Sequence, residues 1–189
     1  MKNGIFLLVS VLFMSLTAAA QPAEETITVK LQKGTLTINR SAITPDWQLG
    51  PVVEYLGKNN KRTKPGYNIT HTYDDFGIVL FEPTATDDKI ATGNLSEFQL
   101  YLSESNVSNN IVPAGVFYGT MMVESVRLTR NSTASAVREK LLGWGYTESN
   151  SYSVHNFRFA KNGVYMYVLF NEDEDRLIKV SFGKDKSSQ

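Results

Sequence analysis

The sequence predicts an α+β protein made of two duplicated units, each one helical segment packed on an antiparallel β-sheet. Three observations lead there. The glycine pairs Gly57/Gly77 and Gly143/Gly163 have identical spacing. Ahead of each second glycine the residues alternate in steps of two. Ile69, His71 and Tyr73 share one face in the first half, and His155, Phe157 and Phe159 share one in the second, with Thr70, Thr72, Asn156 and Arg158 opposite. Finally, Leu36-Thr37-Ile38-Asn39-Arg40 matches Val126-Arg127-Leu128-Thr129-Arg130 upstream of the two helical segments.

The elements follow in order. Lys2, an apolar run from Ile5 to Leu16 and Ala18-Ala19-Ala20 form a secretory leader over residues 1–20, cleaved before Gln21. The run is shorter than the roughly 20 apolar residues a spanning helix needs. An extended segment at Thr26 to Leu31 opens the first repeat, residues 21–103. Thr44 then caps a helix beginning at Pro45, and Gly50-Pro51 breaks it before a short helical restart that ends at Gly57. Strands follow at Ile69 to Tyr73, at Ile78 to Phe81, and where Phe98, Leu100 and Leu102 line one face. Residues 104–113, rich in Ser and Asn, read as a linker. The second repeat, 114–189, starts extended at Val116 to Val123. Its helix carries Ala136 or Val137, Lys140 or Leu141, and Trp144 at helical spacing, and is stopped by Gly143 or Gly145. Val164 to Phe170 and a strand facing inward through Ile178, Val180 and Phe182 complete it.

Composition narrows the function. The absence of cysteine excludes disulfides, thiol catalysis, thiolate metal sites and a lipid anchor at the cleavage point. Basic and acidic residues balance at 19 each, and losing Lys2 with the leader gives a net charge of −1. A nucleic-acid partner wants a basic face, so none is expected. The leader points to an exported protein, periplasmic or secreted, with no transmembrane segment in the mature chain.

No nucleophile elbow, zinc-protease helix or phosphate loop occurs in the sequence, and no cofactor, metal or catalytic residue is assigned. His71 and His155 are the only histidines and read as satisfied residues at core edges. The alternative is a small metal-dependent or hydrolytic enzyme using His71 and nearby carboxylates; Asp74-Asp75 and Asp87-Asp88, as paired carboxylates, would suit glycoside chemistry but read as solvated turn residues. Glu172-Asp173-Glu174-Asp175 lacks the ligand spacing of a calcium loop and reads as a charged hairpin tip. Lys58, Lys61, Arg62 and Lys64 make the stretch after the first helix the most polarised loop of the chain. Interface hot spots favour Trp, Tyr and Arg. The binding candidates are therefore Lys61, Arg62 and Tyr67 after the first helix, and Trp144 and Tyr146 after the second. They would flank one concave surface, or else Trp144 and Tyr146 cap the second core.

Leu56-Gly57-Lys58, Arg62 and Tyr73-Asp74-Asp75-Phe76-Gly77-Ile78 resemble a pattern in an uncharacterised secreted bacterial family of unknown function. The tandem helix-plus-sheet architecture is similar to the β-lactamase-inhibitor-protein and outer-membrane assembly lipoprotein superfamily. That resemblance implies protein binding without catalysis. The chain departs from it in having neither the lipid-anchoring cysteine nor the inhibitor's disulfides. The expected function is an exported, non-enzymatic binding or inhibitor-like module acting on a protein or cell-envelope partner.

Overall fold

A computed structural model describes residues 26–44, 46–64, 67–85, 90–105, 109–149 and 154–185. The leader and its cleavage site, Pro45 and Asp87-Asp88 lie outside the described residues. The fold is α+β but mostly β, with two sheets and two short helices.

The chain begins with a hairpin, β1 (Thr28–Gln32) and β2 (Thr35–Ile38), and a short edge strand β3 (Ser41–Ala42). Helix α1 (Gly50–Leu56) follows. Four antiparallel strands come next: β4 (Lys61–Thr63), β5 (Asn68–Tyr73), β6 (Ile78–Pro83) and β7 (Glu97–Tyr101), with a 3-10 turn at Asp74–Phe76 between β5 and β6. The order then recurs. A hairpin, β8 (Thr120–Val123) and β9 (Val126–Leu128), leads to α2 (Ala134–Gly143). Four strands close the chain: β10 (Thr147–Ser149), β11 (Asn156–Lys161), β12 (Val164–Phe170) and β13 (Leu177–Lys184).

The two halves do not keep a sheet each, as the duplication reading expects. They share both. One sheet has five strands in the order β3-β2-β1-β8-β9, and β1 and β8 run parallel, Val29 beside Met121 and Leu31 beside Val123. The other has eight antiparallel strands in the order β10-β11-β12-β13-β7-β6-β5-β4. Its seam pairs Phe98 with Phe182 and Leu100 with Val180, joining the last strand of each half. One core results. Leu31, Leu36, Met121 and Leu128 from the smaller sheet meet Leu80, Phe98, Met166 and Phe182 from the larger, with Val52, Leu56, Val137 and Leu141 from the helices.

Two local expectations are corrected. Gly50-Pro51 starts a helix rather than breaking one, because proline at the first helical positions lacks only an N–H that would be unpaired there anyway. Thr44 is no helix cap; its buried hydroxyl accepts the Leu36 N–H (2.9 Å) and donates to the Gly34 carbonyl (3.2 Å), fixing the chain beyond β2. In α2 the cap is Thr133, whose Oγ1 accepts the Ala136 N–H at 3.4 Å. The buried face is Ala134, Val137 and Leu141, and Trp144 sits half exposed at the C-cap.

Candidate functional site

The residues singled out from the sequence fall into two groups at opposite ends of the large sheet. Lys61 and Arg62 lie not in a loop but in edge strand β4, and Tyr67 stands 81% exposed just before β5. Lys61 is held by Asp74 at 3.0 Å, and the Thr63 and Thr70 hydroxyls bond each other across the β4·β5 pair. A short, charged edge strand discourages further strand addition. Trp144 and Tyr146 precede β10, the other terminal strand. Seven ladder steps of about 4.8 Å put roughly 34 Å between the two edges. The two groups are not brought together. Tyr146 is 4% exposed and belongs to the core. Its hydroxyl donates to Glu124 (3.5 Å) and Lys161 lies 5.2 Å from its ring centre. Burial, reinforced by the Glu124 charge, pushes its phenol well above the ordinary value.

The histidines differ from each other. His71 sits in β5, and its Nε2 bonds the buried Glu82 carboxylate at 2.9 Å. The other Glu82 oxygen accepts the Gly93 N–H at 2.7 Å. His155 lies before β11 with φ of 61°, not on a strand face. Its Nδ1 meets Glu174 at 2.8 Å, which ties the acidic tip between β12 and β13 back onto the sheet. Among the described residues no three His, Asp or Glu converge to hold a metal.

The large sheet carries a polar layer, buried at Gln99, Tyr101 and Ser181 and half-buried around them, on the face turned away from the core. Alternation puts Glu97, Gln99 and Tyr101 of β7 beside Gly183, Ser181 and Lys179 of β13, with Tyr165 and Tyr167 of β12 next to them. Glu97 accepts from Gln99 (2.6 Å) and from the Tyr165 hydroxyl (3.4 Å), and Lys179 lies 5.6 Å from the Tyr101 ring centre. Burial, opposed by Glu97, lowers the Lys179 ammonium. Burial first, then the Glu97 charge, raises the Tyr101 phenol to about 12 from 10.0. The folded state thus favours the neutral phenol. Its contribution to stability is fully present below pH 10.0 and is lost as pH rises through about 12. Alkaline titration of tyrosinate absorbance should contain late components from Tyr73, Tyr101, Tyr146 and Tyr165, and Tyr101→Phe should remove one of them, near pH 12, and leave the others.

An aromatic-lined opening lies elsewhere. A cleft of about 620 Å³ lies between α1, the 3-10 turn and the segment entering β8. Tyr55 comes from α1, Asp75 and Phe76 from the turn, Phe117 and Tyr118 from the entering segment, and Ile27 from the residue before β1. Phe117 and Ile27 are buried, while Tyr55, Phe76 and Tyr118 are 36%, 38% and 84% exposed. Such a volume is that of a ligand or side-chain pocket.

The backbone around the cleft is clamped. Phe117 N–H donates to the Tyr101 carbonyl (2.6 Å), Gly115 N–H to the Asp74 carbonyl (3.0 Å), and Thr120 N–H to the Ile27 carbonyl (2.8 Å). Three glycines permit this approach. A Cβ at Gly77 would fall inside 3.0 Å of the Val116–Phe117 backbone, one at Gly115 inside 3.0 Å of the Asp74 carbonyl, and one at Gly119 inside 3.0 Å of the Ile27 carbonyl. Neither Phe117 nor Tyr118 was marked by the sequence. The available signal was glycines next to aromatics in two segments far apart along the chain, Phe76-Gly77 and Gly115-Val116-Phe117-Tyr118-Gly119.

The family described as "Domain of unknown function (DUF7738)" matches residues 28–138, more than half of the chain. The chain belongs to that family. The DUF7738 region runs from β1 into α2. It takes in the whole five-stranded sheet, and Tyr55, Asp75, Phe76, Phe117 and Tyr118 of the cleft lie within it. A solved structure, a cysteine-rich secretory protein from Staphylococcus aureus subsp. aureus Mu50, is similar to the DUF7738 chain with 8% identity and a TM-score of 0.44. The match covers 75% of this chain and 44% of that one, so the chain spans under half the length of that structure. No curated protein matches the DUF7738 chain.

Proposed function

We propose that this DUF7738 chain is an exported, non-enzymatic binding module that receives a protein partner at the Tyr55–Phe76–Tyr118 cleft. One observation carries the reading: three exposed aromatic rings surround an opening whose backbone is already rigid. Rings presented from a fixed frame lose little conformational freedom on binding, and aromatic anchors supply much of the energy of protein interfaces. The recurring order of hairpin, helix and four strands supports an internal duplication with the boundary in residues 104–113. The architectural likeness to the β-lactamase-inhibitor-protein and outer-membrane assembly lipoprotein superfamily belongs to the same reading. The buried His71–Glu82 pair favours it over hydrolysis, since His71 is only 8% exposed and already engaged.

The test compares purified wild-type protein, Phe76→Ala/Tyr118→Ala and Lys61→Ala/Arg62→Ala as bait in an envelope extract. A partner retained by wild type and the β4 variant, but lost by the cleft variant at unchanged melting temperature, is the expected result. Equal retention by the cleft variant removes the cleft from the proposal.

A further inference from the structure

We infer that the cleft seats a basic side chain of the partner, its ammonium or guanidinium held between the aromatic faces and the Asp75 carboxylate. This rests on the binding reading above and adds the chemistry of what is bound.

The two adjacent aspartates show why. Asp74 is engaged: its Oδ1 accepts the Ala114 N–H (2.8 Å) and pairs with Lys61 (3.0 Å). Its backbone carbonyl accepts from Gly115, and its N–H donates to Asn60 Oδ1 at 2.7 Å. Asp75 is exposed, lines the cleft, and among the described residues its carboxylate has no hydrogen bond or ion pair. The 3-10 turn therefore uses one carboxylate to anchor the segment entering β8, a strap over the turn, and leaves the next at the opening.

The rest of the lining agrees in sign. No lysine or arginine lines the cleft among the described residues; its other walls are aromatic, aliphatic, threonine and glycine. The faces of Tyr and Phe are negative and attract cations, most strongly when water is thinned by neighbouring rings. A lone carboxylate among such rings is complementary to a positive head on an apolar stem, which is what Lys and Arg side chains are. An uncharged aliphatic side chain would fill the aromatic part and leave Asp75 partly desolvated without a partner, which costs free energy. The volume of about 620 Å³ exceeds a single side chain, so the flanking backbone of the partner also enters. The glycine-permitted contacts hold the 3-10 turn and the residue before β1 against the segment entering β8, so those walls are in place before the partner arrives.

The experiment is a heteronuclear NMR titration of the whole protein with small probes. Nα-acetyl-lysine methylamide and Nα-acetyl-arginine methylamide carry the charge. Nα-acetyl-norleucine methylamide matches the lysine probe without it, and benzyltrimethylammonium represents a free organic cation. Saturable shifts at Tyr55, Phe76 and Tyr118 are expected with the lysine and arginine probes. Binding of the norleucine probe should be weaker by at least about fivefold. Asp75→Asn should weaken the lysine probe about threefold to fivefold and abolish its salt dependence. Tyr118→Ala should weaken it by a similar factor. Equal binding of the norleucine and lysine probes overturns the inference while leaving a binding cleft in place. Saturation by benzyltrimethylammonium alone overturns it in favour of a small organic cation. Absence of cleft shifts with every probe overturns it outright.

Discussion

Replacing Gly77 with alanine should cost about 3 kcal/mol, whereas the same change at Gly143 should stabilise the protein by about 0.5–1 kcal/mol. Gly77 has φ of 62°, in the left-handed region, where a Cβ costs roughly 1–2 kcal/mol by itself. The new methyl group would also press into the Val116–Phe117 backbone, which cannot move aside without breaking the Phe117-to-Tyr101 hydrogen bond. Overpacking of this kind adds roughly 1–3 kcal/mol. Gly143 is helical, and nothing lies within 4 Å of a Cβ built there. For a domain of this size the Gly77 change should lower the melting temperature by about 6–12 °C. Thermal melts of the two variants side by side check the opposite signs. A neutral Gly77→Ala would mean that the strap over the 3-10 turn is looser than these contacts imply.

Glu82→Ala should be comparably severe, at about 3 kcal/mol. Glu82 is 3% exposed, and its two oxygens hold His71 Nε2 and the Gly93 N–H. Truncation strips both groups of their partner; exposed Gly93 can turn to water, but His71 is buried, and an unpaired buried polar group costs far more than the net worth of the bond it lost. The Gly93 contact also matters for position, since the Gly93 carbonyl accepts the Leu49 N–H at the start of α1. His71→Leu combined with Glu82→Ala should recover part of the loss, because one of the two orphans is then gone. Urea unfolding of both single variants and the double variant measures the coupling. Strict additivity would refute a shared buried pair.

Legibility in the sequence followed the range of the interactions involved. Val164 to Phe170 was readable as a strand because its alternation is local, and the structure buries Val164, Met166, Val168 and Phe170 while the residues between them are half exposed. The inward faces of Phe98, Leu100, Val180 and Phe182 were readable for the same reason. That these four meet across one seam was not, because period-two patterning assigns a face and says nothing about a neighbour. The parallel β1·β8 pairing was hidden likewise, since residue 29 finds residue 121 only through the tertiary fold. Gly50-Pro51 misled because the same dipeptide can end a helix or begin one, and the packing of Val52 and Leu56 decides. His155 misled because stepping back from Gly163 ignores that the β11·β12 turn is shorter than the β5·β6 turn. The cleft was out of reach: its walls come from four separate stretches, and the one that carries a recognisable pattern, Asp75-Phe76, gives no hint of the other three.

The sharing of both sheets has a consequence for how the chain can be divided. Strand β1 lies between β2 and β8, and β7 between β6 and β13, so each half ends on a ladder that only the other half completes. A fragment cut in the connection between β7 and β8 would carry two bare edges at once, backed by the core side chains Val29, Leu31, Phe98 and Leu100. Those edges fit the missing half of the same molecule and equally the corresponding half of another. Two whole chains could make the same ladder bonds by exchanging halves only by opening that connection, and opening it costs the Gly115-to-Asp74 and Phe117-to-Tyr101 hydrogen bonds, so the clamp that shapes the cleft also holds the two halves of one chain together.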